Sequence, residues 1–228
     1  MLIGILVTGH ALDELRDTRG NYDKIFGDML SAHGFETKAW FVVDEDYPES
    51  PQDADGWILT GSKHGAYEDH PWIPPLEEFN RAVYADGRPM VGICFGHQII
   101  AQALGGKVVK FDQGWAVGHT DYDIDGEDMR LLAWHQDQVV EKPQGAQVIG
   151  SNPFCENAAL LYDNRILTIQ PHPEFDAEIL EKLIEVRGTG VVEPDRLAAA
   201  RETQDAPHDS LKFIDRISAF FQQGEAHV

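Results

Sequence analysis

The chain is poor in cysteine and in positive charge. It has 2 cysteines in 228 residues and no C-x-x-C pair, which excludes a disulfide framework. Its 18 Lys and Arg stand against 39 Asp and Glu, a formal net charge of −21 at pH 7. Such a surface repels phosphate backbones and anionic lipids, so we expect neither nucleic acid nor a membrane as partner.

Long hydrophobic runs and cofactor motifs are also missing. No apolar stretch approaches the ~18 residues that suggest a membrane span, and residues 1–7 lack the basic start of a signal peptide. We therefore expect a soluble, cytoplasmic protein. There is no P-loop, dinucleotide fingerprint or H-E-x-x-H, and His64 and His70 lie on a polar loop without obvious ligand company. The sequence predicts no cofactor and no metal.

The first half of the chain alternates between short apolar runs and helical patterns. Strands are predicted at residues 2–7, 38–43, 56–60 and 89–93. Helices are predicted over residues 22–30 and 74–86, where apolar side chains recur at helical spacing. This β-α alternation is typical of a doubly wound, mostly parallel sheet with helices on its faces.

The second half contains short strand-like runs, followed by helical patterns. The runs lie at residues 108–111, 115–124, 130–133, 138–140, 147–150, 159–162 and 166–169. An Asp-Gly turn signal at 125–126 separates two of them. Helices follow at residues 176–186, 194–201 and 210–221. We expect antiparallel hairpins added to a parallel core, with helices at the carboxyl end.

One cysteine lies where a nucleophile would be placed. The segment Gly-Ile-Cys-Phe-Gly at residues 92–96 follows an apolar strand and precedes a helix-like segment, 99–104. Strand, sharp turn and helix form a nucleophile elbow, here written G-x-C-x-G around Cys94. Gly92 and Gly96 are needed because a Cβ would clash where strand and helix pass closely. The helix N-terminus favours a thiolate at this position.

A thiol nucleophile needs a base, and the segment Pro-His-Pro-Glu at 171–174 supplies a candidate. It follows the predicted strand 166–169, and its prolines hold His172 and Glu174 in an extended or turn conformation. The carboxylate can then accept from one imidazole nitrogen while the other faces a partner. An oxyanion hole needs preorganised N–H donors. Phe95 N–H is one candidate, and the loop 60–65 can present a second.

These motifs together resemble the class I (triad) glutamine amidotransferases, over about residues 1–185. The resemblance implies a flavodoxin-like open sheet and a cysteine that attacks the γ-carboxamide of glutamine. Ammonia leaves, and a γ-glutamyl thioester is hydrolysed to glutamate. It implies a domain over 1–187 and a C-terminal helical extension, 188–228, packed on the same domain.

The resemblance also implies a role for each matching residue. Cys94 would be the nucleophile, His172 the general acid/base and Glu174 the group that orients it. Gly61 and Phe95 would supply the oxyanion amides. The substrate-binding candidates, which resemble family residues that hold the glutamyl part, are Gln98, Gln136 and Asp137.

Two departures keep alternatives open. The oxyanion loop reads Gly-Ser-Lys-His at 61–64 where many relatives have Gly-Gly-Pro, and the chain contains no synthase domain to receive ammonia. The chain thus looks like stand-alone members, which resemble either the glutaminase part of GMP synthase or the γ-glutamyl peptidases. The leading expectation is glutamine hydrolysis, with a separate synthase subunit as possible ammonia acceptor. The alternatives are a γ-glutamyl peptidase and an inactive regulatory or binding module.

Overall fold

The computed structural model describes residues 1–225, which contain a nine-stranded sheet and a separate two-stranded sheet. The strands, in chain order, are β1 Leu2–Leu6, β2 Glu36–Trp40, β3 Gly56–Leu59, β4 Met90–Ile93, β5 Lys107–Lys110, β6 Ala116–Ile124, β7 Glu127–His135, β8 Asp137–Glu141, β9 Gln147–Ser151, β10 Ala159–Tyr162 and β11 Ile166–Ile169. The helices are α1 Asp13–Arg19, α2 Tyr22–Ser31, α3 Ile73–Asp86, α4 Phe95–Ala103, α5 Ala177–Leu183, α6 Pro194–Glu202 and α7 Ser210–Glu225.

Five of the nine strands of the large sheet form a parallel part. These strands follow one another in the order β2-β1-β3-β4-β11, and each neighbouring pair is parallel. This is the flavodoxin-like order 2-1-3-4-5, with β11 in the last place. In such a sheet the carboxyl ends of all the strands meet at one edge, and loops at that edge form the ligand site.

Antiparallel strands extend the same sheet beyond β11, in the order β10-β9-β6-β7. Strands β5 and β8 pair antiparallel in the small sheet. The predicted α/β class, with a parallel core and added antiparallel strands, is confirmed.

The central strands are buried on both faces, as the apolar runs in the sequence indicate. Every residue of β3, β4 and β11 is buried. Alternate residues of β1 enter two hydrophobic clusters, with Ile3 and Ile5 in one and Leu6 in the other. Helices α2, α5 and α7 cover the first cluster, and α3 and α4 cover the second. The sheet is therefore packed between two helical layers.

Several predicted element bounds differ from the structure. Helix α1 is not predicted, because Leu15 is its only buried residue and no apolar stripe marks it. Strand β2 ends at Trp40, and residues 42–44 form a 3₁₀ turn. The helix predicted over 176–186 ends at Leu183 and continues as a π-helical turn, Ile184–Gly188.

The C-terminal helices pack on the sheet. Phe213, Ile217 and Phe221 of α7 are fully buried in the cluster that contains Ile3 of β1. The division between residues 187 and 188 stays a prediction, and residues 226–228 of the predicted extension lie outside the described residues. Within residues 1–225, no helix has the length and apolar character needed to cross a membrane.

Candidate active site

Cys94 occupies the turn between β4 and α4. Its φ of 52° and ψ of −102° lie outside the regions that side-chain-bearing residues ordinarily adopt. A Cβ on Gly92 would come within 2.6 Å of the Gly96 backbone, and a Cβ on Gly96 within 2.6 Å of the Leu59 carbonyl oxygen. Both glycines are therefore sterically required, and the turn has the geometry of a nucleophile elbow.

His172 and Glu174 lie directly beyond β11, which pairs parallel with β4. The backbone N–H of His172 donates to Leu132 of β7 at 2.8 Å. Its Nδ1 is 2.7 Å from Glu174 Oε1, and its ring stacks on Phe175 at a centroid distance of 3.8 Å. Both side chains are buried. Since Nδ1 is engaged by the carboxylate, Nε2 is left free to exchange a proton at the neighbouring Cys94.

The electrostatic environment favours a protonated His172. Burial lowers the pKa of His172, but the charges of Glu174 and Cys94 and the hydrogen bond to Glu174 outweigh it and raise the pKa from 6.5 to about 10. Burial together with the nearby Glu174 raises the pKa of the Tyr22 hydroxyl. An imidazolium beside a sulfur can donate its proton to the leaving group of a substrate that the sulfur attacks.

Backbone hydrogen bonds fix the directions of the two predicted oxyanion amides. The Thr60 carbonyl accepts from Thr8 Oγ1 at 2.9 Å and from Gly96 N–H at 3.2 Å, so the Gly61 N–H of the same planar peptide must point the opposite way. The Cys94 carbonyl accepts from Gln98 N–H at 3.1 Å, which likewise directs Phe95 N–H out of the helix. Neither amide has a hydrogen-bond partner within residues 1–225.

Gly61 lies against the catalytic candidates. A Cβ built on it would be 3.0 Å from His172 Cε1 and 3.8 Å from Cys94 Cβ. The structure thus brings together five of the eight predicted site residues around one sulfur: Cys94, His172, Glu174, Gly61 and Phe95.

The three substrate-binding candidates share a cavity of about 500 Å³ with Cys94. The Gln98 amide donates to the Asp137 carbonyl at 2.9 Å, and the Gln136 amide donates to the Phe111 carbonyl at 3.0 Å. Asp137 accepts from the Tyr67 hydroxyl at 3.2 Å. Burial raises the pKa of Asp137 against the opposing effects of Tyr67 and Lys110. These side chains line the space in front of the sulfur.

Two further residues belong to the site and are missed by the sequence analysis. Gln170 is fully buried, its amide lies 3.6 Å from Cys94 Sγ, and its oxygen accepts from Gln98 Nε2 at 3.1 Å. Positions 170, 172 and 174 alternate, and this spacing beyond an apolar strand is a signal that could have found Gln170. His135 lines the cavity, and burial lowers its pKa to about 3, so it is neutral.

One wall of the cavity comes from the turn between α5 and α6. Val186, Arg187 and Val191 line it together with Trp115 and Trp134. Lys63, in the loop that contains Gly61, also lines the opening of this cavity. Although the chain has 39 Asp and Glu, neither Lys63 nor Arg187 forms an ion pair with a carboxylate among residues 1–225. The cavity lining therefore includes two cations without an ion-pair partner, together with the Asp137 carboxylate.

The polar loop that follows Lys63 brings Glu68 next to His64 and His70. These three residues form the one set of three metal-ligand side chains that the structure places together among residues 1–225.

Comparisons with known proteins agree with this geometry. A family model described as glutamine amidotransferase class-I matches residues 29–184. Gamma-glutamyl peptidase 2 of Arabidopsis thaliana is 30% identical over 207 residues, which cover 83% of this chain and 82% of that protein. A glutamine-hydrolysing GMP synthase of an Azoarcus species is 37% identical over 167 residues, or 66% of this chain and 30% of that protein.

The fold is also found in a solved structure. A glutamine amido transferase from Methylobacillus flagellatus superposes with a TM-score of 0.78 at 20% identity, covering 98% of this chain and 94% of that one. Because the family model spans more than half of the sequence, the chain belongs to the class-I glutamine amidotransferase family.

Proposed function

We propose that the chain hydrolyses a γ-glutamyl amide through a thioester on Cys94, with glutamine as substrate. The observation that carries the proposal is the set of contacts at the sulfur. A strained cysteine at a strand-to-helix turn lies beside a buried histidine whose other nitrogen is 2.7 Å from a buried carboxylate. An enzyme that uses covalent catalysis needs this set, whereas a module that only binds does not.

In the first half of the reaction, the Cys94 thiolate attacks the γ-carbonyl carbon and the carbonyl π electrons move to oxygen. Gly61 N–H and Phe95 N–H donate to that oxyanion, since both amides are directed and unpaired. The C–N bond then breaks, and the His172 imidazolium gives its proton to the leaving nitrogen. Ammonia departs, and the γ-glutamyl thioester remains on Cys94.

In the second half, neutral His172 takes a proton from water as that water attacks the thioester carbon. The C–S bond breaks, glutamate leaves, and the thiolate–imidazolium pair is restored. Glu174 keeps the ring in one orientation throughout, because it holds Nδ1 and leaves Nε2 toward the reacting atoms. With glutamine as substrate, a separate synthase subunit would use the ammonia.

The test is trapping of Cys94 by a glutamine-analogue electrophile, combined with glutamate release from glutamine. We expect one label per chain on Cys94, no label in Cys94→Ala, and slower labelling in His172→Asn. Cys155 is an internal control, since it is buried and its thiol pKa is raised to about 12 by burial. Absence of label on Cys94 would favour the inactive binding module.

A second candidate, hydrolysis of γ-glutamyl peptides, is favoured by the cavity opening. The leaving group of glutamine is ammonia, which needs no room beyond the sulfur, whereas the cavity continues from Cys94 to Val191. The two free cations at this opening, Lys63 and Arg187, suit a leaving amino acid that carries a carboxylate. The thioester chemistry is unchanged, because only the leaving nitrogen differs.

Paired substrates separate the two candidates. A peptidase should cleave a γ-glutamyl dipeptide faster than glutamine, and faster than the same dipeptide with its carboxyl end amidated. Arg187→Ala and Lys63→Ala should each raise KM for the dipeptide about tenfold, because each variant loses one charge-assisted hydrogen bond to the substrate. The KM for glutamine should not change. Equal rates on dipeptide and dipeptide amide would leave glutamine hydrolysis as the better reading.

A further inference from the structure

Two histidines and one glutamate lie close together in the loop that follows strand β3. Glu68 Oε2 is 2.7 Å from His70 Nε2 and 3.4 Å from His64 Nδ1. One ligand atom from each of the three residues lies within 4.8 Å of the others. All three side chains remain accessible, with 23%, 43% and 32% of the side chains of His64, Glu68 and His70 exposed. An ion could therefore enter from solvent.

The distances suit a small divalent transition metal. Ligand atoms bound tetrahedrally to zinc at about 2.0–2.1 Å are about 3.3 Å apart. The His64–Glu68 separation of 3.4 Å already has this value. His70 Nε2 and Glu68 Oε2 are hydrogen-bonded at 2.7 Å. A movement of well under 1 Å in each side chain would widen this separation to the distance between two zinc ligands.

Aromatic packing limits how far the two imidazoles move. The His70 ring stacks on Trp72 with an interplanar angle of 14°, and the His64 ring meets Trp72 edge-on at 5.8 Å. The rings of His64 and His70 are themselves 4.3 Å apart. Two of the three ligands are thus held on one aromatic platform, so binding orders few additional groups.

We propose that His64, Glu68 and His70 form a binding site for a divalent transition metal of the Zn²⁺ type, with solvent at the remaining position. Imidazole nitrogens with one carboxylate are a donor set that zinc accepts. The proposal does not depend on the reaction proposed above, because none of the three residues is among the groups at the sulfur.

The site joins the catalytic centre at two points. His64 lies three residues after Gly61, whose N–H is a candidate oxyanion donor, and Trp72 packs on Phe95 at a centroid distance of 5.4 Å. A bound ion would tie His64 to residues 68–70 and so close the loop 61–70 on itself. We expect this loop to become less mobile when the metal is present.

The binding test uses the full chain without a purification tag, in a Cys94→Ala background so that the active-site sulfur cannot bind the ion. Zn²⁺ alone is the probe, followed by titration calorimetry and by equilibrium dialysis with metal analysis. We expect one Zn²⁺ per chain. Glu68→Gln and His70→Gln should each weaken binding at least tenfold, since even outer partners of a zinc site contribute 10–100-fold.

His33→Gln is the matched control. His33 Nε2 pairs with Asp215 at 3.0 Å on another part of the surface, where no third ligand is present among residues 1–225. This variant should bind Zn²⁺ as tightly as its parent. Melting curves recorded without metal will separate loss of binding from loss of folding.

Hydrogen exchange provides a second readout. Amides of residues 62–70 should exchange more slowly after addition of Zn²⁺, and not in Glu68→Gln. Equal binding by the parent and both ligand variants would overturn the proposal, as would no binding by the parent at millimolar Zn²⁺.

Discussion

Replacing Gly61 by alanine tests the geometry at the sulfur with a single methyl group. Gly61 has no positive φ, so alanine can adopt its backbone conformation without strain. The added Cβ, however, would be 3.0 Å from His172 Cε1, a spacing tighter than nine in ten real Cβ contacts. The perturbation is therefore local, and it acts on the imidazole.

The imidazole has little room to yield. Glu174 holds Nδ1 at 2.7 Å, and Phe175 stacks on the ring at 3.8 Å with an interplanar angle of 6°. The methyl group must be accommodated by a shift of a few tenths of an ångström in the ring or in the oxyanion loop. A misplacement of 1 Å can cost about 100-fold in rate. We therefore expect a loss of about tenfold in kcat/KM, or about 1.4 kcal/mol.

The assay is glutamate release from the substrate that the wild-type chain turns over best, together with thermal unfolding. Gly61→Ala should lose activity while its free energy of unfolding changes by less than about 1 kcal/mol. Gly27→Ala is the matched control, because its Cβ would have an ordinary contact of 3.4 Å with Thr37 Oγ1 of β2 and none with Cys94 or His172. Activity of Gly61→Ala within twofold of wild type would refute the proposed roles of Gly61 and His172.

Three further predictions follow from the same contacts. Cys94→Ala and Cys94→Gly should both abolish turnover. The glycine variant should be more stable than the alanine variant by about 1 kcal/mol, because glycine relieves the backbone strain at φ 52°. Equal melting temperatures of the two variants would contradict this. Glu174→Gln removes the strongest charge that raises the pKa of His172. Because that pKa is raised from 6.5 to about 10, the protonated ring stabilises the native chain fully below pH 6.5, and this stabilisation is lost as the pH rises to about 10. The difference in melting temperature between wild type and Glu174→Gln should therefore shrink from pH 6.5 to pH 10, and a constant difference would argue against it. Gln170→Leu should lower kcat/KM about tenfold in steady-state assays, because Gln98 loses one of its two acceptors and the sulfur loses an amide 3.6 Å away; an unchanged rate would make Gln170 a packing residue only.

The parallel core could be predicted from the sequence because each of its strands is marked locally. Strands β3, β4 and β11 are short, apolar and buried throughout, which is the pattern of a central strand. The β6–β7 hairpin is also local, since Asp125 and Gly126 both adopt the positive φ that an Asp-Gly turn requires. Such features depend on neighbours in the sequence.

The rest of the fold could not be predicted because it depends on distant pairings. The placement of β10, β9, β6 and β7 on the edge of the parallel core follows from contacts between strands of different hairpins. Strand β7 is also longer than the predicted run 130–133, since it begins with the exposed residues Glu127 and Asp128 and continues to His135.

The candidate site divides in the same way. The elbow around Cys94 is predictable because two glycines at fixed spacing are sterically required. The approach of His172 to Cys94 follows from the parallel pairing of β4 with β11, in which Ile93 lies beside Ile169. The resemblance to the family motifs predicts that His172 approaches Cys94, whereas the periodicity of apolar residues alone does not. Gln170 is not predicted, because it belongs to no motif and only its alternation with positions 172 and 174 marks it.

The two sides of the cavity have different origins in the chain, and this bears on what the enzyme cleaves. The groups proposed for the acyl half follow the parallel strands β3, β4 and β11 and lie inside the family match over residues 29–184. Arg187 and Val191, which line the side proposed for the leaving group, lie just beyond that match. Under this proposal, changes over residues 186–191 alter the preferred leaving group and leave thioester formation undisturbed. Arg187→Ala should accordingly keep the rate of Cys94 labelling while its preference among γ-glutamyl substrates changes, and a parallel loss of both would place Arg187 in the acyl half instead.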